Sequence, residues 1–260
     1  MITRITERDE IRRLLDRDRV WALYALADLD DGLFEQCEWW ACGEALALVF
    51  GGISIRPIFV MGEGAELCEL LGTIPADWGY LNLRLPQWAA VAGVWSYSEE
   101  HQMHRMVVQE WRPRHGECVV LGPEDEDEIR SLYDTGDGGG VAFAPYQVAT
   151  GFFRGVRRGG ALVAVGGVHV VSRAESVAGV GNIFTRPDCR GQGLAQVVTS
   201  AVVEALRAES IRTIGLNVES TNAPAIAAYQ RLGFVERFTY VEGPAQRGGT
   251  PPARLVSKAE

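Results

Sequence analysis

The chain has 260 residues, of which 47% are hydrophobic, and a formal net charge of -9. This length is enough for one or two domains with full hydrophobic cores, and we expect two. The negative charge argues against a general polyanion-binding protein, because neutralising phosphates requires clustered Lys and Arg. We therefore expect no nucleic-acid partner.

The first residues, MITRITERDEIRRLLDRDR, are charged throughout and lack the apolar segment of a signal peptide. No apolar run approaches the roughly 18 residues that cross a bilayer. The sequence therefore predicts a soluble cytoplasmic protein without a membrane partner. Because neither a CxxC pair nor paired His spacing occurs, we expect no metal site and reduced thiols at all five cysteines: Cys37, Cys42, Cys68, Cys118 and Cys189.

Composition changes partway along the chain. All seven Trp lie at or before Trp111, whereas the Gly-rich segment lies after residue 155. We place a domain boundary near residue 115, which gives an N-terminal domain at 1–115 and a second domain at 116–245. Residues 246–260 are predicted as a partly flexible tail or a last strand.

The N-terminal domain contains short sequence echoes of the second one. GEALALV at 43–49 matches GGALVAV at 159–165, IFVMGEGAELCELL loosely matches IFTRPDCRGQGLAQVV, and YLNL at 80–83 matches GLNV at 215–218. These echoes predict a degenerate second copy of one fold, with chance similarity and an accessory or substrate-binding domain as the alternatives.

Predicted elements of the second domain alternate between strand and helix. After His115 the sequence predicts a short strand, a turn at Gly122-Pro123 and a helix with an acidic first turn. Hydrophobic periodicity then predicts strands at 160–171 and 177–185, a helix at 193–208, a strand at 213–219, a helix at 223–232 closed by Gly233, a strand at 234–242 and a partly disordered Gly- and Pro-rich tail. This order is typical of an α/β domain whose ligand loop lies at a strand's carboxyl end.

The stretch RPDCRGQGLAQVV, residues 186–198, forms that loop. Two glycines before a helix let backbone N–H groups point toward one anion, and the helix N-terminus adds partial positive charge. A P-loop would need Gly-Lys-Ser/Thr where Gly193-Leu194-Ala195 stands, and a dinucleotide fingerprint would need Gly in place of Gln196. The loop is therefore either another type of phosphate site or a plain structural turn.

Two motifs together are more specific than the loop alone. In TRPDCRGQGLA, Arg190 lies three residues before Gly193 and Ala195 lies two beyond, which resembles the R/Q-x-x-G-x-G/A motif of the GNAT superfamily of acyl-CoA N-acyltransferases. NVESTNAPAIAAYQRLGF, about thirty residues later, resembles the family's second hallmark. The resemblance covers roughly residues 117–242. It implies an α/β (α+β) fold with a central mixed sheet flanked by helices, here as two tandem GNAT-like domains.

The resemblance also implies how acetyl-CoA, or another acyl-CoA, would bind as co-substrate. The backbone of Ile183, Phe184 and Thr185 would pair with the pantetheine arm. The diphosphate would rest on the N–H groups of Gln192, Gly193, Leu194 and Ala195, with Arg190 and Gly191 shaping the turn. Gly179 and Gly181 interrupt the preceding strand, which indicates either a bulge that admits the thioester or a plain flexible strand.

Acyl transfer needs a base for the amine and an acid for the departing thiolate. Asn222 is a good N-cap and lies two helical turns before Tyr229, so both lie on one face, where Asn222 can bond a ligand. The resemblance implies Tyr229 as the general acid, with core packing as its alternative role. Glu219 or His169 is the candidate base, directly or through water. Cys189 has no His nearby in sequence, which disfavours a thiol nucleophile.

We therefore predict an N-acyltransferase that moves an acetyl or other short acyl group from acyl-CoA to a primary amine by direct attack. One alternative is a glycine-acyltransferase-like enzyme with another acyl donor or an amino-acid acceptor. The other is a non-catalytic CoA-binding sensor. The sequence predicts a small-molecule or peptide amine as substrate and leaves the acceptor's identity and a homodimer open.

Overall fold

A computed structural model describes residues 1–136, 140 and 142–248. The chain forms two compact units. Among the described residues, the first comprises 1–105, 219–221 and 237–248, and the second comprises 106–218 and 222–236. The predicted assignment of roles to domains at 1–115 and 116–245 stays a prediction.

The N-terminal half of the chain contains seven strands and four helices among the residues described. In chain order they are β1 (Ile2–Ile5), α1 (Arg8–Leu15), α2 (Leu23–Ala27), β2 (Cys37–Cys42), β3 (Ala45–Phe50), β4 (Pro57–Met61), α3 (Gly64–Thr73), β5 (Trp78–Arg84), α4 (Leu85–Val91), β6 (Trp95–Tyr97) and β7 (His101–Val108).

The remaining described chain adds six strands and four helices. They are β8 (Val119–Val120), α5 (Glu126–Tyr133), α6 (Pro145–Val148), β9 (Arg154–Arg158), β10 (Ala161–Ser172), β11 (Val177–Thr185), α7 (Leu194–Ala208), β12 (Thr213–Glu219), α8 (Ala223–Arg231) and β13 (Phe234–Arg247). Sheets and helices mix in both units, as predicted for an α/β protein.

Strand pairing within the first unit follows the order β1-β2-β3-β4-β5-β13, and β6 also pairs with β13. Neighbours are antiparallel except β4 and β5, which run parallel. Helix α3 connects these two parallel strands and buries Leu67, Leu70 and Leu71 in the unit's core. A helix crossover is the usual connection between parallel strands.

The second unit repeats this arrangement in the order β8-β9-β10-β11-β12. Its parallel pair is β11 and β12, joined through α7. Helix α7 buries one face against the sheet's core, where Val198, Val202 and Leu206 are fully buried.

The sequence echoes fall on corresponding elements of the two units. Residues 43–49 and 159–165 form or lead into β3 and β10, and YLNL and GLNV lie in β5 and β12. In both units, a helix follows the first strand of the parallel pair. The predicted repetition of one fold is therefore confirmed at the level of strand order.

The last strand continues past its predicted end at residue 242. In the structure β13 extends to Arg247, because Tyr240–Gln246 pair antiparallel with Trp78–Arg84 of β5. Pro244, read from sequence as part of the tail, lies inside this pairing and its carbonyl accepts a hydrogen bond from the Ser98 amide. Residues 249–260 of the predicted tail lie outside the described residues.

Candidate active site

The parallel pair of the second unit opens at its carboxyl end. Strands β11 and β12 pair from Val177 with Thr213 to Val180 with Leu216. Beyond Val180 and Leu216 the two strands no longer pair, although β11 continues to Thr185 and β12 to Glu219. The inner backbone edge of β11 beyond Val180 is thus available to an extended ligand, which could add to it as a strand does.

A β-bulge shapes the same segment. The β10–β11 register shifts between Val165 and Gly167 and again between Val168 and Val170. Opposite these shifts, Asn182 adopts the left-handed conformation with φ of 54°. A short polar side chain tolerates this conformation better than most residues. The sequence had indicated a bulge from Gly179 and Gly181, and the structure confirms one.

Asn182 is fixed by a buried hydrogen-bond network. Its Nδ2 donates to Gln147 Oε1 at 2.8 Å and to the Val168 carbonyl at 3.2 Å. The Tyr133 hydroxyl donates to the Asn182 carbonyl at 3.0 Å. Gln147 is itself 4% exposed and donates to the His169 carbonyl. This network holds the bulge from helices α5 and α6, and sequence analysis did not identify it.

The loop between β11 and α7 presents backbone donors. Gly191 and Gly193 have φ of 75° and 79°, which favours glycine at both positions. Within the described chain, the amides of residues 191–196 donate to no protein acceptor. The first turn of α7 contains no acidic residue. These free amides and the positive end of the helix dipole together suit an anion.

Arg190 lies against the end of β11. Its Nε donates to the Thr185 carbonyl at 3.2 Å, and its guanidinium lies 5.7 Å from the centre of the Phe184 ring. Leu194 is buried beneath the loop, whereas Gln192 is exposed. The structure thus brings together Ile183, Phe184, Thr185 and the loop residues from Arg190 to Ala195.

Helix α8 carries the second predicted motif. Asn222 caps it, because its Oδ1 accepts a hydrogen bond from the Ala225 amide at 3.2 Å. Tyr229 is 8% exposed, and its ring packs against Phe234 at 5.9 Å between centroids. Its hydroxyl has no hydrogen-bond partner within the described residues. Burial raises the pKa of Tyr229 to about 12, so the phenol stays protonated at neutral pH.

The two candidate bases differ in environment. Burial lowers the pKa of His169 to about 4, against a weaker opposing effect of a hydrogen bond with the Ala142 backbone. A Cβ at Gly181 would fall 2.0 Å from its Nε2, so the imidazole packs directly on β11. Glu219 is half exposed and lies 3.8 Å from His101 Nδ1, measured from Oε1. Sequence analysis did not identify His101 as a neighbour of Glu219.

The sequence profile of the Acetyltransferase (GNAT) family matches residues 94–234, more than half of the chain. The chain belongs to this family. The mycothiol acetyltransferase of Actinosynnema mirum is 28% identical over 203 residues, which cover 75% of this chain and 59% of that protein. The chain therefore spans less than two thirds of the length of that relative.

Two further GNAT relatives are informative. The [ribosomal protein bS18]-alanine N-acetyltransferase of Escherichia coli K12 is 38% identical over 55 residues, covering 21% of this chain and 37% of its own. A solved tandem GNAT protein from the clavulanic acid biosynthesis pathway matches with a TM-score of 0.55 at 14% identity, covering 96% of this chain and 98% of its own. The latter similarity concerns the fold.

Metal and membrane features were searched in the same part of the chain. Among residues 1–136, 140 and 142–248, no cluster of three or more His, Cys, Asp or Glu side chains could hold a metal ion. None of the helices described above is both long and apolar enough to cross a bilayer. The five cysteines are free thiols.

Proposed function

We propose that the chain transfers an acetyl or other short acyl group from acyl-CoA to a primary amine of a small molecule or peptide. One observation carries this proposal: the amides at residues 191–196, which have no acceptor among the described residues, adjoin a strand edge that no described strand pairs with beyond Val180. The amides would take the diphosphate of acetyl-CoA, and the edge at Ile183, Phe184 and Thr185 would take its pantetheine arm.

The reaction requires no covalent enzyme intermediate. The amine nitrogen attacks the thioester carbonyl carbon, a C–N bond forms, and the C–S bond breaks as the tetrahedral oxyanion collapses. Tyr229 would give its proton to the departing CoA sulfur. The phenol is protonated at neutral pH, and its hydroxyl has no competing protein acceptor within the described residues.

The base that takes the amine proton is proposed to be Glu219, directly or through water. Its side chain is half exposed, and its Oε1 lies 3.8 Å from His101 Nδ1. His169 fits this role less well, because an imidazole with a pKa near 4 holds a proton poorly at neutral pH.

The acceptor is proposed only as a class. One relative is named for mycothiol and another for an alanine of a ribosomal protein, so the names of similar enzymes include both a small molecule and a protein. A cytoplasmic location without nucleic-acid or membrane partners remains part of the proposal. The alternatives are a glycine-acyltransferase-like enzyme and a CoA sensor.

Amine-dependent release of free CoA thiol from acetyl-CoA, measured across a panel of primary amines, tests the proposal. Replacing Tyr229 by Phe should lower kcat on the order of 100-fold while leaving KM for acetyl-CoA within about threefold. Tyr97→Phe is the matched control, since the Tyr97 hydroxyl donates to the Leu81 carbonyl in the first unit. Tight acetyl-CoA binding with no release for any amine would favour the sensor, and equal activity of Tyr229→Phe would leave Tyr229 structural.

A further inference from the structure

Two guanidinium groups converge on Gln192 beside the open amides. Arg114 Nη2 lies 3.4 Å from the Gln192 carbonyl, and Arg158 Nη1 lies 2.5 Å from Gln192 Oε1. Arg114 Nη1 also donates to Gln196 Oε1 at 2.7 Å. We call Arg114 and Arg158 the guanidinium pair. Both contact the same neutral residue, so two positive charges adjoin Gln192.

The space for this arrangement comes from a glycine. A Cβ at Gly193 would fall 2.3 Å from the Arg114 guanidinium, so that group covers the backbone at the start of α7. The Arg114 amide is fixed independently, by a hydrogen bond to Ser200 Oγ at 2.8 Å. Arg158 is the last residue of β9 and reaches Gln192 from that strand.

Neither member of the pair contacts a carboxylate among the described residues, although arginines beside them do. Arg112 pairs with Glu110 at 2.5 Å. Arg157 pairs with Asp125 at 2.9 Å and with Glu128 at 2.7 Å. A multiply charged anion bound beside Gln192 would interact favourably with both of these positive charges.

Coenzyme A contains one phosphate in addition to the diphosphate that the loop is proposed to bind. The free amides and Arg190 are matched to the two phosphates of the diphosphate. The remaining group, the 3′-phosphate on the ribose, carries most of two negative charges near neutral pH, which matches the charge of the guanidinium pair. Arginine also bonds phosphate through two parallel N–H groups.

We propose that Arg114 and Arg158 form a binding site for the 3′-phosphate, so that the protein distinguishes acetyl-CoA from 3′-dephospho-acetyl-CoA. This inference rests on the proposed acyl-CoA function. It adds a discrimination that the amide loop alone does not provide, because both ligands contain the same diphosphate and pantetheine arm.

Calorimetric titration of the full chain with both ligands tests the site. Wild type should bind acetyl-CoA roughly 10- to 100-fold more tightly than the dephospho form, as expected for charge-assisted hydrogen bonds. The double variant Arg114→Met/Arg158→Met should reduce that preference to about twofold by weakening acetyl-CoA binding alone. Both side chains are exposed, and each single variant should lose part of the preference.

Arg112→Met is the control, because its guanidinium is paired with Glu110. It should keep the wild-type preference. Equal binding of both ligands to wild type, or an unchanged preference in the double variant, would overturn the 3′-phosphate site and leave acyl-CoA binding intact. If neither ligand binds to wild type, the proposed function is wrong and the site falls with it.

Discussion

The starts of helices α3 and α7 occupy the same position in two copies of one fold, but they differ in charge. The first turn of α7 contains no acidic residue, and Arg190 precedes it. Helix α3 is preceded by Glu63 at its N-cap and has Glu66 in its first turn. Carboxylates at a helix start complement the helix dipole and repel an incoming anion. One strand order thus supports an anion site in one unit and disfavours it in the other.

The connection to the helix also differs between the units. In the first unit, Gly62 and Glu63 alone separate β4 from α3. A Cβ at Gly62 would fall 2.8 Å from the Cα of Ala45, and Gln87 Nε2 donates to the Gly62 carbonyl at 2.8 Å. The nearby cavity of about 300 Å³ is lined in part by Arg84 and Asp18, which form an ion pair. In the first unit, contacts with the protein's own side chains therefore stabilise the connection between β4 and α3.

The sharpest test places the same carboxylate at both helix starts. Gly193→Asp should weaken acetyl-CoA binding by at least roughly 30-fold, because it sets a negative charge beside the proposed diphosphate amides. Gly64→Asp should change the affinity less than about threefold. Both glycines have positive φ, 79° and 68°, so the backbone strain is similar, but a Cβ at Gly193 also displaces the end of the Arg114 side chain, whereas one at Gly64 meets no atom within 4 Å. Calorimetry with acetyl-CoA measures both affinities, and equal losses would contradict the assignment of the site to the second unit.

The elements around this site could be predicted from sequence with good accuracy. Strands β11 and β12 have their predicted bounds, and the predicted limits of α7 and α8 differ from the observed ones by one residue. The reasons are local. Hydrophobic periodicity defines each element, and Gly233 ends α8 with φ of 88°, where a Cβ would collide with the Glu110 carbonyl.

Contacts between distant residues could not be predicted in this way. Gln147 meets Asn182 across 35 positions, and Arg114 meets Gln196 across 82. Neither pair has a repeat or spacing that marks it, because periodicity reports the face of an element and not its partner. His101 beside Glu219 was missed for the same reason.

The bulge in β11 has no counterpart in the pairing of β3 with β4, which runs in unbroken register from Leu46–Met61 to Val49–Ile58. Asn182→Ala should cost about 3 kcal/mol of unfolding free energy, since it strains a positive φ and removes the two buried hydrogen bonds that Asn182 Nδ2 donates. Asn182→Gly should cost about 1 kcal/mol less than Asn182→Ala. Glycine adopts the positive φ without strain, but it loses the same side-chain hydrogen bonds. Urea unfolding measures both.

Asn82 in the first unit supplies the control for that experiment. Its Nδ2 donates to the Ile58 and Tyr80 carbonyls at 3.4 and 3.2 Å, but it lies in a regular strand. Asn82→Ala should therefore cost about 1 kcal/mol. Equal costs for Asn182→Ala and Asn82→Ala would show that the bulge is not specially held.

The smallest expected effect is a pH dependence of opposite sign in the two units. In the first, burial and then the charge of Asp30 raise the pKa of Asp28 to about 7, so its contribution to stability is greatest below its unfolded value of 3.8 and is lost as the pH rises toward 7. In the second, burial lowers the pKa of His169 to about 4, so its contribution is present above 6.5 and is lost as the pH falls toward 4.

These two contributions oppose each other between about pH 4 and 6.5, each with a slope of at most about 1.4 kcal/mol per pH unit. Asp28→Asn should therefore expose the His169 contribution, and urea unfolding should show stability decreasing from about pH 7 to 5. His169→Asn should instead make stability decrease from about pH 5 to 7. Slopes of the same sign in both variants would contradict this account, because each variant removes one of two opposing proton-binding groups.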